Sequence, residues 1–361
     1  MQIQSKLPNV GTTIFSVMSA LANEHGAINL SQGFPNFDCP KELQERVNFY
    51  LQNGKNQYVP MAGVPLLRDR LTQKLENSYG QSINPDTEIT ITAGATQALF
   101  TAISAFVRSG DEVILIEPAY DSYRPSIEVM GGVPVIYELK SPDYKINWKE
   151  FQKCVSERTK MIIINTPHNP IGKVLSEEDL LELQKLTSDT NILVLSDEVY
   201  EHLIYDGQKH QSVLRFPELF HRSLAVYSFG KTLHSTGWKV GYCVAPEHLM
   251  KEFRKVHQFN VFSVNSFVQY GIADFLTNES FFQELPDFYQ QKRDFFQKAM
   301  AGSKLRGLGS EGTYFQLYDY SKISEEGDIA FAKRMTTEFG VAAIPVSVFY
   351  SSGRDERVVR L

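Results

Sequence analysis

A lysine set among small residues behind a short apolar run is where chemistry in this chain would begin. Lys231 lies in Ser228-Phe229-Gly230-Lys231-Thr232, which leads on to Gly237-Trp238-Lys239-Val240-Gly241, and the whole stretch follows Leu224-Ala225-Val226-Tyr227. As a cation such a lysine binds phosphate; as a free amine it condenses with an aldehyde to an imine. The Gly-Lys-Thr triplet suggests a Walker A loop, but that loop needs a glycine five residues before Gly230, where Ala225 stands. The segment also has too few glycines to wrap a triphosphate in backbone amides. The amine chemistry has support close by, because Ser228 and Lys239 are the donor types a single phosphate monoester needs.

Other candidates follow short apolar runs in the same way. Ala93-Gly94-Ala95-Thr96-Gln97 comes after Glu88–Thr92 and opens a helix expected to reach about residue 108. Free amides and the helix dipole there make Ala95 and Thr96 a second set of phosphate donors, the plainer reading being a tight turn. Tyr120 follows the run Glu112–Ile116, and Asn169 follows Met161–Ile164 within Asn165-Thr166-Pro167-His168-Asn169-Pro170-Ile171-Gly172. An isolated aromatic such as Tyr120 is more often core, Asn-Pro is a common turn signal, and His168 has no partner nameable from sequence. Asp197 ends the run Ile192–Leu195, with Tyr200 three residues on. A carboxylate there is costly unless it meets a cation, although a helix N-cap is the plainer role. The glycine-to-threonine turn at 94–96, Tyr120, Asn169, Asp197 and Lys231 thus each lie at the carboxyl end of an expected buried strand. That rim is where open α/β sheets bind ligands.

The elements that must hold this rim show in the rhythm of the chain. From about residue 88, short apolar strands alternate with helices, the pattern of an α/β fold. Before it, Ile14, Val17, Met18 and Leu21 mark a helix, residues 41–52 another, and Pro65 opens a third striped by Leu67, Leu71 and Leu75. Ser176 and Asp179 form a capping-box variant for a helix over 177–188. Beyond Val244 helices are expected with Leu249, Phe253 and Val256, then over 265–276, then a long amphipathic one over 287–300 with Phe288, Phe295 and Phe296, linking the lobes. The remainder reads as a small α+β lobe with strands at 313–317, 341–345 and 357–361 and a helix at 328–338. At 361 residues the chain exceeds one ordinary core. A net charge of −6 without a long basic run argues against nucleic acid, and no run approaches membrane-spanning length. Three scattered cysteines, Cys39, Cys154 and Cys243, suit a reducing compartment, so a cytoplasmic protein is expected.

The string Ser-x-Gly-Lys-x5-Gly-Trp-Lys-x-Gly at 228–241 resembles the Schiff-base lysine motif of fold-type-I pyridoxal-phosphate aminotransferases. The Asn-x-Pro-x-Asn-Pro-x-Gly string at 165–172 matches the same family. The resemblance covers nearly the whole chain and looks closest to the methionine and kynurenine (glutamine transaminase K-like) branch. It implies an α/β fold-type-I architecture: a large domain with a mostly parallel sheet flanked by helices, plus a smaller α+β domain. Residues 1–40 would form the N-terminal arm and part of the small domain, 41–285 the large domain, and 286–361 the small one. The family continues past a strand like Val358-Val359-Arg360-Leu361, so the sequence is expected to be cut short there. The cofactor implied is pyridoxal 5′-phosphate. Lys231 would bond its aldehyde and move the α-proton, Asp197 would hold its ring nitrogen charged, and Asn169 and Tyr200 would meet its ring oxygen. Tyr120 would lie against its ring, and Ala95, Thr96, Ser228 and Lys239 would take its phosphate. Gly33 and Arg360 would take the substrate carboxylate, with Arg354 and Arg357 as rivals to Arg360. A homodimer is implied, with Tyr58 reaching the partner's cofactor phosphate and Phe262 and Ser263 lining the partner's pocket. The activity implied is amino transfer between a neutral L-amino acid and a 2-oxo acid. Cysteine-conjugate β-elimination is an alternative, as is a non-catalytic regulator, whose fused DNA-binding domain residues 1–30 are too short to supply.

Overall fold

The computed structural model describes residues 3–361. Helix α1, Ile14–His25, is capped by the Thr13 hydroxyl and ends at Gly26 in the left-handed region. Helices α2 (Lys41–Gln52) and α3 (Pro65–Tyr79) follow, the latter with proline at its first position, where no amide hydrogen is needed. The alternating part comprises β1 (Ile89–Thr92), α4 (Ala95–Phe106), β2 (Glu112–Glu117), β3 (Val133–Glu138), β4 (Thr159–Asn165), α5 (Glu177–Thr187), β5 (Leu193–Asp197), β6 (Ser223–Ser228) and β7 (Gly241–Val244). Then come α6 (Glu247–Asn260), α7 (Ser266–Phe275), α8 (Glu279–Met300), β8 (Leu317–Asp319), α9 (Asp328–Phe339) and β9 (Val358–Arg360).

The large sheet has seven strands in the order β1-β7-β6-β5-β4-β2-β3, and only β7 runs against its neighbours. Its central strands read as unbroken apolar runs because both faces are buried. Ile114, Ile162, Val194 and Ala225 face one core, while Val113, Met161, Leu193 and Leu224 face the other with Leu99, Ala102 and Phe253. Tyr227 and Tyr242 stack with ring centres 4.7 Å apart between β6 and β7. Register sets the rim: Asn165 pairs with Asp197, and Ser228 with Gly241.

A second sheet joins β8 and β9 in antiparallel register, Leu317 opposite Arg360, and β9 also pairs with Ile344–Pro345. Val359 and Ile344 pack into a cluster with Met18, Tyr320 and Phe331, so α1 and α9 share this small core. Residues 28–29 pair in parallel with 341–342.

Several expectations needed correction. Lys231 sits in one helical turn, Phe229–Thr232, rather than in a loop. The expected strand over 313–317 begins only at Leu317, because Thr313 takes a positive φ and its amide and carbonyl are committed to Leu203 O and to the Tyr205 hydroxyl. Helix α8 starts at Glu279 and turns Leu285, Tyr289 and Arg293 inward, leaving Phe288 and Phe295 exposed. The edge strand β3, half-buried, was not expected: Gly132 precedes it and Pro134 is its second residue, the turn-like pair that interrupts its apolar run and that an edge strand tolerates. No helix among the described residues is long and apolar enough to cross a membrane.

Candidate active site

The carboxyl ends of β1, β4, β5 and β6 open onto a cavity of about 270 Å³, closed on its other sides by the 32–34 segment, Phe15, Phe315 and β9. Ala95, Thr96, Tyr120, Asn169, Asp197, Tyr200, Ser228, Lys231, Lys239, Gly33 and Arg360 all line it. Tyr58 does not; it is 83% exposed and packs edge-on against Phe262, beside Ser263, on a separate surface.

At one end, Gly94 precedes α4 with φ 80°, a conformation that leaves room above the helix N-terminus. A methyl group there would stand 3.5 Å from Lys239 Nζ, so the ammonium and the free amides of α4 converge. Gly241 keeps β7 this close, since a side chain would fall 2.5 Å from Tyr227 O and 3.1 Å from Ala95 N. The hydroxyls of Thr96 and Tyr120 meet at 3.4 Å on the same side.

In the middle, Asp197 is 3% exposed. The Tyr123 hydroxyl donates to its Oδ2 at 2.6 Å and Val199 N to Oδ1 at 3.3 Å. Burial pushes its carboxyl up to about 6, against those two hydrogen bonds and the Lys231 charge. The turn after Asp197 is anchored from behind the sheet. Glu198 accepts from His210, Tyr227, Ser196 and the Val213 amide, and Glu201 accepts from Lys74 at 2.6 Å. Those posts fix Tyr200 between them.

Lys231 Nζ donates to Gly33 O at 2.6 Å and to the Tyr314 hydroxyl at 3.2 Å. Burial, with Arg360 and Lys239 adding repulsion, lowers its ammonium to about 8 despite Asp197. Arg360 is 1% exposed, and donates to Asn169 Oδ1 at 2.7 Å and Ser31 O at 2.9 Å. Its Nε has no partner, and its guanidinium lies 4.0 Å from the centre of the Phe315 ring. Burial lowers it to about 10. The rivals lie elsewhere: Arg354 pairs with Glu356 and Glu138, and Arg357 does not line the cavity. His168 is buried behind the loop, held neutral by a value lowered to about 4, and its Nδ1 has no protein partner.

Sequence reasoning passed over Tyr123, Tyr314, Phe15, Phe315 and Asn165. Only Asn165 carried a signal, as the first residue of the Asn-Pro string; its amide donates to Asp197 O and its oxygen accepts from Asn169 N, which locks β4 and β5 to the loop.

The chain is similar to known proteins along nearly its whole length. A sequence model of the family described as aminotransferase class I and II matches residues 25–361. The chain is 51% identical to a methionine aminotransferase of Escherichia coli strain K12, over 99% of this chain and 93% of that protein. It is 35% identical to kynurenine–oxoglutarate transaminase 1 of Homo sapiens, over 92% and 86% respectively. Among solved structures, one of an Escherichia coli protein identified as having methionine aminotransferase function superposes with a TM-score of 0.98 at 51% identity, covering 100% of this chain and 95% of that one. A Thermus thermophilus aspartate aminotransferase double mutant superposes at 0.91 with 30% identity, covering 100% and 95%.

Proposed function

Because the chain belongs to the class I and II aminotransferases, and is itself a transaminase of fold type I, we propose that it passes the amino group of methionine or a similar neutral L-amino acid to a 2-oxo acid. The observation that carries this is the cavity itself: an amine lowered to about 8 at Lys231, a buried carboxylate at Asp197, and a guanidinium at Arg360 whose Nε has no partner.

Aminotransferases of this family work with pyridoxal 5′-phosphate, and the cavity fits that group. Lys231, Lys239 and Arg360 face it against Asp197 alone, so it favours anionic ligands. The converging Lys239 ammonium and α4 amides suit a phosphate, with Ser228 and Thr96 as further donors. When bound, the cofactor supplies an aldehyde for a lysine amine and a ring that accepts electrons from the α-carbon. Lys231 is the lysine placed for it. Asp197, ionised above about 6 and fixed by Tyr123, would favour a positive charge on the cofactor's ring nitrogen. Asn169 gives its oxygen to Arg360, which leaves its amide hydrogens free, and these with Tyr200 would meet the cofactor's ring oxygen. Tyr120 would lie against the ring.

Arg360 grips the substrate carboxylate, with Ser31 O and Asn169 fixing the plane of its guanidinium and Gly33 backing the same group. Lys231 then takes the proton from the substrate's α-carbon as an amine and returns one, as an ammonium, to the α-carbon of the acceptor. The side-chain space meets Phe15, Phe34 and Phe315, with no second arginine among the described lining residues, which supports a neutral donor. We take residues 41–285 as the large cofactor-binding domain, and 286–361 with much of 1–40 as the small one. We also place the protein in the cytoplasm, as a homodimer in which Tyr58 serves the partner's phosphate site.

A donor panel with a fixed 2-oxo acid tests the reading. Methionine is expected to give its 2-oxo acid and an equal amount of new amino acid. Faster transfer from aspartate would overturn the neutral preference, and dominant release of ammonia and pyruvate from a cysteine S-conjugate would point to β-elimination instead.

A further inference from the structure

Lys231 has two tasks that need different protonation states, so the amine must stay in place when it gains or loses a proton. The structure shows what could keep it there. Its Nζ lies 2.6 Å from Gly33 O and 3.2 Å from the Tyr314 hydroxyl, and that hydroxyl itself donates to Gly33 O. Tyr314 stands in the bend before β8, just outside the cavity lining, and reaches the amine from a segment remote in sequence from the helical turn that carries Lys231. Its ring is wedged edge-on against Tyr200, centres 5.6 Å apart, and against Phe315 at 4.8 Å, so its hydroxyl has little freedom to move. The hydroxyl proton alone can turn.

We propose that Tyr314 and the Gly33 carbonyl form the resting place of the Lys231 amine whenever that amine is not covalently engaged. Tyr314 is then the positioning residue that holds it at one point with or without its proton. A carbonyl can only accept, whereas a phenol hydroxyl both donates and accepts. As an ammonium, Lys231 donates to Gly33 O and to Tyr314 Oη, while the phenol keeps its own bond to Gly33. As an amine, it still donates to Gly33 O, and the phenol proton turns to its lone pair. The second arrangement costs the phenol its bond to Gly33, so the pair favours the ammonium and offsets part of the burial. The other charged or titratable groups facing the amine are Asp197 from β5, Tyr200 from the turn after it, Arg360 from β9 and Lys239. None of these is a hydrogen-bond partner of Nζ in the structure.

The inference rests on the aminotransferase reading for its purpose, but its test can be read in cofactor-free protein. Trace labelling with acetic anhydride across a pH series, with the Lys231 peptide followed by mass spectrometry, gives the apparent pKa of that one amine. Tyr314→Phe keeps the ring contacts and removes only the hydroxyl, and is expected to lower that pKa by about one unit. An unchanged or raised value would overturn the proposal, since a purely packing role for Tyr314 would leave it alone. Should the Phe variant misfold by circular dichroism, Tyr314→Met lacks the hydroxyl too and carries the same expectation. In the loaded enzyme the isotope effect on the half-reaction with α-deuterated methionine is expected to rise in Tyr314→Phe; no rise would count against the proposal. Wild-type protein without amino transfer but with the labelling shift would sink the functional reading and leave the resting place standing.

Discussion

At the residue scale, the fold buries two ionisable groups, Lys231 and Asp197, against their charged forms. Lys231 would be an ammonium in water, and in its cavity burial lowers it to about 8. A group whose folded value is depressed favours the folded state above its unfolded value, and that contribution is lost as pH falls through the folded value. Cofactor-free Lys231→Met protein is therefore expected to be more stable than wild type by about 1–3 kcal/mol near pH 7. The gap should close between about pH 8 and 10.5. Chemical denaturation at three pH values measures it, and an equal gap at all three would refute the assignment. Asp197 runs the other way: its raised value means stability present at low pH and lost as pH rises through about 6. The main site residues were legible in the sequence because each stands in a short motif at a strand end. Tyr123 and Tyr314 were not. Tyr123 opens a short helix and Tyr314 stands in a bend, and neither position has a pattern to separate a hydroxyl aimed at a carboxylate or an amine from one aimed at solvent; that depends on how two distant segments meet.

At the scale of elements, the rim works because strand register and one helix start coincide. Gly241 sits opposite Ser228 in β6 and directly beneath the first amide of α4. Gly241→Ala would drive a methyl to 2.5 Å from Tyr227 O and 3.1 Å from Ala95 N, so β7 must back away from β6 and from the helix start. The expected cost is about 2 kcal/mol of stability. Pyridoxal 5′-phosphate affinity should fall several-fold while that of phosphate-free pyridoxal falls less, which calorimetry with both ligands resolves. Equal losses for the two would mean that the glycine does not set the phosphate site. The central strands were readable since both their faces are buried. Helix α8 was legible from Phe288, Phe295 and Phe296, of which Phe296 packs against the small core while Phe288 and Phe295 stay exposed. Arg293 is turned inward as well, where Asp206 and Asp294 pair with its guanidinium. The 313–317 stretch looked like a strand by residue type, and its bend is imposed by residues 203–205, more than a hundred positions earlier.

At the scale of the molecule, the cavity is enclosed by segments far apart in sequence: the arm at 32–34, the large sheet, and β9 of the small sheet. Arg360 spans them through Ser31 and Asn169, so one side chain ties the 31–34 segment and the loop after β4 to β9. Tyr58 remains outside, exposed beside Phe262, as a residue offered to a second copy would be. If it serves the partner's site, two crippled chains should repair each other. Tyr58→Phe and Lys231→Ala subunits, unfolded together and refolded as a mixture, are expected to regain one intact site per mixed dimer, with activity well above either parent. No gain on mixing, in protein shown by light scattering to be dimeric, would place Tyr58 outside the site.

The central claim is that one particular ε-amine carries the chemistry. Borohydride reduction of the protein loaded with pyridoxal 5′-phosphate, followed by digestion and mass spectrometry, reads this directly. The expected result is a single pyridoxyl-phosphate adduct on the peptide containing Lys231, absent from the Lys231→Ala variant. An adduct on Lys239 or another lysine, or none at all, would contradict the account.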